Sequence, residues 1–318
     1  MTEPSESRVA VYIDFDNIVV SRYNQLYGRS AFQNDRVRNF DPKDADPDAA
    51  AKLAAATVDF DAILDFATSY GNVVISKAYA DWSVPVNASY QRKLMDRAVD
   101  LTQLFTTTTR GTKNGADIRL AVDVMEDLFR LPDLTHIVIV AGDSDYIALA
   151  QKSQRLGRFV VGIGVAGSTS RSLKSACDEF EDYDDLPGVK AIVVAAPVAE
   201  PVEAPAPVEV PVTKAAPKKS RRVSVPQVTE EPAIDEPEVI DPQVRATDLL
   251  VRALQVGNAK NDSDESLHSA AVKNQMKRMD PSFNEKSLGY RSFTDFVKSR
   301  DSVAELEEDG QERRIRLR

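Results

Sequence analysis

One segment sets the terms for the whole chain. From about residue 185 to 241 the sequence turns to Pro, Ala, Val and Glu ("VVAAPVAEPVEAPAPVEVPV" is typical), with almost no large apolar residue. Such a stretch cannot bury enough surface to offset its conformational entropy. The chain must therefore fold as separate blocks on either side of an extended, partly polyproline-like linker. The expected division is a first domain over 1–184, a disordered linker over 185–243 and a second domain over 244–318. The basic run "KKSRR" inside the linker reads first as solvated charge and second as an RNA contact.

With 318 residues, 42% of them hydrophobic, the chain has material for one good core and a second small one. A single cysteine, Cys177, rules out a disulfide framework, and two histidines, His136 and His268, rule out His/Cys zinc clusters. The start "MTEPSESRVA" has neither a basic end nor a long apolar core, and no later run holds about 18 uninterrupted apolar residues. A soluble cytoplasmic protein with no membrane partner is expected. A net charge of −10 argues against coating nucleic acid by bulk charge, so RNA would have to bind a local basic face or through cations.

In the first block strand-like and helix-like runs alternate. "RVAVYID" reads as a buried strand, and "AAKLAAATVDFDAILDFATSYG" as a helix with Gly71 as its C-terminal cap. Next come strand "VVISKAYA", helix "ASYQRKLMDRAVD", the β-rich "TQLFTTTT" and helix "ADIRLAVDVMEDLFR". Strand "HIVIVAG", helix "SDYIALAQKSQRLG" and strand "RFVVGIGV" complete the series. This is the pattern of an α/β domain, a doubly wound, mainly parallel sheet with helices on both faces. Function in such sheets collects at the carboxyl ends of the strands. The polar segment 28–48 is expected to form a surface loop.

Acidic residues gather at those strand ends. "VYIDFDN" places Asp14, Asp16 and Asn17 after the first strand, "AGDSDY" places Asp143 and Asp145 after a later one, and Asp117 opens the helix between them. Asp and Asn after a strand often cap the next helix, and Ser144 or Asp145 before "YIALAQ" fits that role as well as a functional one. Asp123 and Asp127, further along the helix, are expected to be solvated, with Asp123 partly inward. Two carboxylates about 4 Å apart repel by roughly 4 kcal/mol at an effective dielectric near 20, so a converging set takes up protons or recruits a cation. With oxygen ligands alone, Mg²⁺ or Mn²⁺ is the expected ion. Such a site can activate water against a phosphodiester.

"VYIDFDNI", "GADIRLAVDVM" and "AGDSDYIALAQKSQRLGRFVVGIG" together resemble the three signature blocks of the NYN domain, a LabA-like branch of the PIN-like nuclease superfamily, over about residues 8–183. The resemblance implies metal-dependent endoribonuclease chemistry, with Asp14, Asn17, Asp117 and Asp143 at matching positions and Asp145 as a further carboxylate. Asp14, Asp117 and Asp143 are the expected metal ligands, Asn17 the group that positions water or a phosphate oxygen. The departures are Ala141 where Ser is common, Tyr146 where Phe is common, and the 28–48 insertion. Lys77, Arg110 and Lys113 lie near the mouth as either phosphate contacts or ordinary ion-pair partners.

The second block offers helices at "ATDLLVRALQVG" and "LHSAAVKNQMKRMD", whose methionines read as core. A third helix follows at "RSFTDFVKSR", with Ser292 and Asp295 spaced as a capping box, and a final hairpin turns at "EDGQ". Helices followed by a hairpin describe a small winged-helix module. "DPSF", "LGYRSFTDF" and the basic last strand resemble the OST-HTH/LOTUS domain over about residues 245–318. That resemblance implies RNA binding and, in some members, protein partners. Lys273, Lys277, Arg278, Lys286, Arg291, Lys298 and Arg316 are the candidate phosphate contacts, each with a bland reading as solvated charge. Tyr290 is expected to pack on the third helix rather than stack on a base.

The whole reads as a ribonuclease whose substrate is recruited by a tethered RNA-binding module. A non-catalytic RNA-binding scaffold with a vestigial acidic pocket is the alternative. A phosphatase using Asp14 and Asp16 as a paired-aspartate motif fits less well, because Val19 and Val20 stand near where a Thr is usual. Nothing in the residues sets an oligomeric state.

Overall fold

Alternate residues of the first strand serve two cores. Val9, Val11 and Ile13 of β1 (Arg8–Asp14) are fully buried in one hydrophobic cluster, while Ala10 and Tyr12 are fully buried in another. A strand with no solvent face belongs in the middle of a sheet covered on both sides. The structure, a computed structural model describing residues 7–40, 47–104, 115–189, 241–261, 266–309 and 312–318, places it there.

After β1 come α1 (Phe15–Tyr27), α2 (Ala31–Asn34), α3 (Pro47–Ala55), α4 (Phe60–Thr68) and β2 (Asn72–Ala80). Then follow α5 (Pro85–Ala88), α6 (Gln91–Asp96), β3 (Asp100–Gln103), α7 (Gly115–Arg130) and β4 (His136–Val140). The block closes with α8 (Ile147–Arg155), β5 (Phe159–Gly164), α9 (Arg171–Ala176) and β6 (Glu179–Asp182). All six strands pair in parallel in the order β3-β2-β1-β4-β5-β6. The chain winds outward from β1 in one direction and from β4 in the other, so the switch point lies between them. One core packs α1 and α4 against the sheet around Phe15, Phe60 and Tyr90; the other packs α7, α8 and α9.

Several expectations need correcting. The run expected as one helix up to Gly71 is two, α3 and α4, because Asp59 accepts a hydrogen bond from Asp61 N and starts the second. Gly71 is no left-handed cap. Its φ is 154°, and a Cβ there would sit 2.2 Å from the Ser7 carbonyl oxygen, so glycine is required by that close approach. The helix expected over 88–100 is likewise split into α5 and α6. The 28–48 segment holds α2 and buries Phe32 and Val37. The acidic β6 carries no hydrophobic alternation, and it is fastened by Phe180, which packs so close to Gly162 that a Cβ there would lie 2.3 Å from the ring. The linker from 190 to 240, with "KKSRR", lies outside the described residues, as do Arg110 and Lys113.

The C-terminal block builds α10 (Pro242–Asn261), β7 (Leu267–His268), α11 (Ser269–Met279), α12 (Phe293–Lys298), β8 (Ala304–Asp309) and β9 (Glu312–Leu317). The last two form the antiparallel wing, and β7 adds to its β9 edge. Met276 and Met279 are core, as expected, and Ser292 Oγ accepts from Asp295 N at 3.1 Å as the helix cap. Tyr290 packs edge-on against Phe296, and Arg300 donates to its hydroxyl at 2.6 Å.

Helices α10 and α11 lie against α4. Asp65, 2% exposed, is paired with Arg97 at 2.7 Å and with Arg252 of α10, while Gln275 of α11 donates to Thr68 Oγ1 at 2.8 Å. Burial pushes the Asp65 carboxyl up, and the two guanidiniums oppose that shift. A buried carboxylate between two arginines is costly to open from either side.

Candidate active site

The carboxyl ends of β1 and β4 flank the switch point; β1 ends in Asp14, and Asp143 follows β4 by three residues. Asp14 closes β1 and caps α1, its Oδ1 accepting from Asn17 N at 3.2 Å. Asn17 sits one helical turn on and crosses to β4, accepting from Gly142 N at 3.0 Å through Oδ1. That bond orients the amide, leaving its NH₂ group to donate elsewhere. Asp16 turns away, as the start of a helix requires, and accepts from Asn87 Nδ2 at 2.6 Å.

Asp117 lies in the first turn of α7, where the helix dipole favours negative charge. Asp143 and Asp145 follow β4 on a short 3₁₀ turn whose side chains make no cap; the residue before α8 is Tyr146. Neither Ser144 nor Asp145 therefore caps the helix, correcting that expectation. One carboxylate oxygen each of Asp117, Asp143 and Asp145 lies within 4.8 Å of the others. Asp143 and Asp145 are exposed and Asp117 half-buried, so the trio opens to solvent.

Asp14 stands behind that trio, 4% exposed. The link is a residue whose hydroxyl no carboxylate count reveals: Tyr146 Oη lies 2.9 Å from both Asp14 Oδ2 and Asp117 Oδ1. Burial pushes Asp14 up to about 7, opposed by the bonds from Tyr146 and the Asn17 amide and reinforced by the charges of Asp117 and Asp16. Asp117 is raised too, first by burial and then by Asp143 and Asp145. The Tyr146 phenol is held far above its ordinary range by burial between two acids. Among the described residues the mouth thus gathers four carboxylates near one phenol.

Beyond Asp16, the end of β2 adds Asp81, to which Ser83 Oγ and Gln103 Nε2 donate at 2.5 and 3.0 Å and which pairs with Arg38 at 3.2 Å. Burial works against this carboxylate, and those bonds hold it below the usual range. Arg38 comes from the 28–48 insertion, a contribution that no motif in the sequence signals.

Asp123 and Asp127 are not solvated. Tyr79 and Tyr12 donate to them at 2.9 Å each, and Lys77 reaches Asp127 at 2.6 Å. They form a buried polar seam between α7 and the sheet, because α7 turns this acidic stripe inward, where tyrosines on β1 and β2 meet it. Lys77 is absorbed there and does not face the mouth.

Of the seven basic candidates in the C-terminal block, Lys273 pairs with Glu285 at 2.6 Å, Lys298 with Glu308 at 3.1 Å and Arg316 with Glu305 at 2.8 Å. Arg278 is half-buried on α11, near enough to Lys260 for their charges to oppose. Lys277, Lys286 and Arg291 are exposed. Lys277 and Lys286 line one cavity of about 390 Å³ with Lys273 and Asn284.

A six-stranded parallel sheet with acidic residues converging at its switch point defines a PIN-like α/β protein, here with a winged-helix module behind it. The NYN domain model matches residues 8–184, and the OST-HTH/LOTUS domain model matches residues 241–316. The chain belongs to the NYN domain family and carries a C-terminal OST-HTH/LOTUS domain. A protein of unknown function, VPA0982 from Vibrio parahaemolyticus RIMD 2210633, aligns by crystal structure with 58% of this chain and 98% of its own, at 23% identity and a TM-score of 0.41. No curated protein matches. Among the described residues no helix is long and apolar enough to cross a membrane.

Proposed function

We propose that the protein is a divalent-metal-dependent endoribonuclease whose C-terminal domain brings RNA to the acidic mouth. The observation that carries this reading is the trio Asp117, Asp143 and Asp145, with oxygens within 4.8 Å of one another at the switch point of a NYN domain. An all-carboxylate, solvent-open set suits a hard ion, Mg²⁺ or Mn²⁺, and not zinc. These three residues would hold it, with Asp14 as a fourth carboxylate one hydroxyl behind. Such an ion, when bound, supplies charge stabilisation to a phosphodiester and lowers the pKa of water.

The chain's own side chains do the rest. Asn17, fixed through its Oδ1 by Gly142 N, presents its NH₂ group to a phosphate oxygen or water. Asp145, with no helix to cap, would complete the carboxylate set. Tyr146 holds Asp14 and Asp117 together through its hydroxyl. Lys277, Lys286 and Arg291 meet phosphates on the OST-HTH/LOTUS domain, which sets position and affinity more than sequence.

The test is purified protein with labelled single-stranded and structured RNA in Mn²⁺, Mg²⁺ or EDTA, beside Asp117→Asn and Asp143→Asn. Cleavage that needs metal and falls at least about 100-fold in both variants is the expected result. RNA binding with no cleavage under either metal would sink the nuclease reading in favour of an RNA-binding scaffold.

A further inference from the structure

Helix α7 is apolar on two opposite faces. Leu120, Val124 and Leu128 are buried against the sheet. On the far side Ile118 is 64% exposed, Val122 55% and Phe129 72%, with Met125 half-buried between them. Seven large hydrophobic residues are exposed among those described, and three lie on this one helix, so they make a patch rather than the usual scatter.

The spacing of the outer stripe identifies what fits it. Ile118, Val122, Met125 and Phe129 follow one another by four, three and four residues, the a/d seam of two helical heptads, which takes another helix with the same seam. The flank carries Arg119 and Glu126, both exposed and seven residues apart on one side of the stripe; each is held within the helix, Arg119 by Asp123 at 3.1 Å and Glu126 by Arg130 at 2.8 Å, so a partner helix would have to share or exchange these pairs. In an antiparallel pair centred between Val122 and Met125, Ile118 meets Phe129 of the partner subunit and Val122 meets Met125 of the partner subunit. Arg119 then faces Glu126 of the partner subunit, twice by symmetry. A parallel pair would instead bring two acidic mouths together, since Asp117 opens this helix, and would set no opposite charges across the seam.

We propose that α7 is a homodimerisation seam, pairing antiparallel with α7 of a second copy of this chain. The arrangement sets the two Asp117 residues about 20 Å apart along the seam, at 1.5 Å per residue. Both mouths stay open on opposite ends. The seam offers a single helix face of four apolar side chains, so the dimer is expected to depend on protein concentration. The proposal does not depend on the nuclease reading, because its readout is molecular mass.

The experiment is sedimentation velocity on the full chain from 1 to 200 µM, with Val122→Glu, Glu126→Arg and the double swap Arg119→Glu/Glu126→Arg. Circular dichroism and thermal unfolding serve as controls that each variant folds. Expected is a monomer–dimer equilibrium, abolished by Val122→Glu, weakened about tenfold by Glu126→Arg and restored by the double swap. A monomer throughout the range would overturn the proposal, as would a dimer that survives Val122→Glu. Loss in Val122→Glu without restoration by the double swap would overturn the antiparallel register. A monomer in which Val122→Glu abolishes RNA binding would assign the stripe to nucleic acid instead.

Discussion

Tyr146 Oη lies 2.9 Å from Asp14 Oδ2, and it lies equally far from Asp117 Oδ1. A phenol has one proton, so it donates to one carboxylate, and the other contact needs a proton from the acid. Burial pushes both acids up, Asp14 to about 7, and the Tyr146 hydroxyl opposes each rise. The bridge thus gives two neighbouring carboxyls one shared hydroxyl.

Removing the bridge has a direct consequence. In Tyr146→Phe a buried carboxyl loses its donor, and the metal-free protein should be less stable by about 1–3 kcal/mol. Added Mn²⁺ should recover much of that loss. Urea midpoints with and without Mn²⁺ give the answer; an unchanged midpoint without metal would mean that the bridge contributes nothing.

The raised Asp14 carboxyl makes stability depend on pH. Below about pH 4 it is protonated both folded and unfolded; between about 4 and 7 the unfolded chain ionises it while the folded protein keeps its proton. Stability from this group is therefore present at low pH and lost as pH rises towards 7. From pH 5 to pH 8 the metal-free protein should lose on the order of 3 kcal/mol that Asp14→Asn does not lose. Denaturant titrations of both proteins at the two pH values would show parallel behaviour if Asp14 titrates normally.

Metal binding should be visible without any substrate. An ion held only by the folded protein stabilises it by about 2.7 kcal/mol at 100 times its dissociation constant. Thermal unfolding in Mn²⁺ should rise for the native sequence and for Asp123→Asn, whose carboxylate serves the buried seam, by similar increments. Asp143→Asn should show little or no rise. Equal shifts in all three would place the ion away from the mouth.

On the C-terminal domain, ion pairing ranks the basic residues, because Lys277, Lys286, Lys298 and Arg316 are all exposed. Lys277→Ala and Lys286→Ala should each weaken RNA binding and lower the salt slope by about 1, while Lys298→Ala and Arg316→Ala, already paired with Glu308 and Glu305, should do less. Binding curves at several salt concentrations would contradict this if all four slopes fell alike.

Elements whose signal is local can be read from the chain before it folds. Continuous apolar runs marked β1, β2, β4 and β5, the Ser292–Asp295 spacing marked α12, and aspartates after strands marked the mouth. That Asp14, Asn17, Asp143 and Asp145 lie near one another was legible because a parallel sheet sends strand ends to one edge; Asp117 joins them from the first turn of α7. Tertiary structure alone decided what each carboxylate does there. Asp14 and Asp143 look alike in the chain, yet one is 4% exposed behind Tyr146 and the other opens to solvent. Asp123 and Asp127 turned inward because tyrosines on two strands and Lys77 waited to meet them, and β6 formed without alternation because Gly162 leaves room for Phe180. Periodicity reports which side of an element is apolar; burial and hydrogen-bond partners depend on residues far away in sequence, and those distances close only when the chain folds.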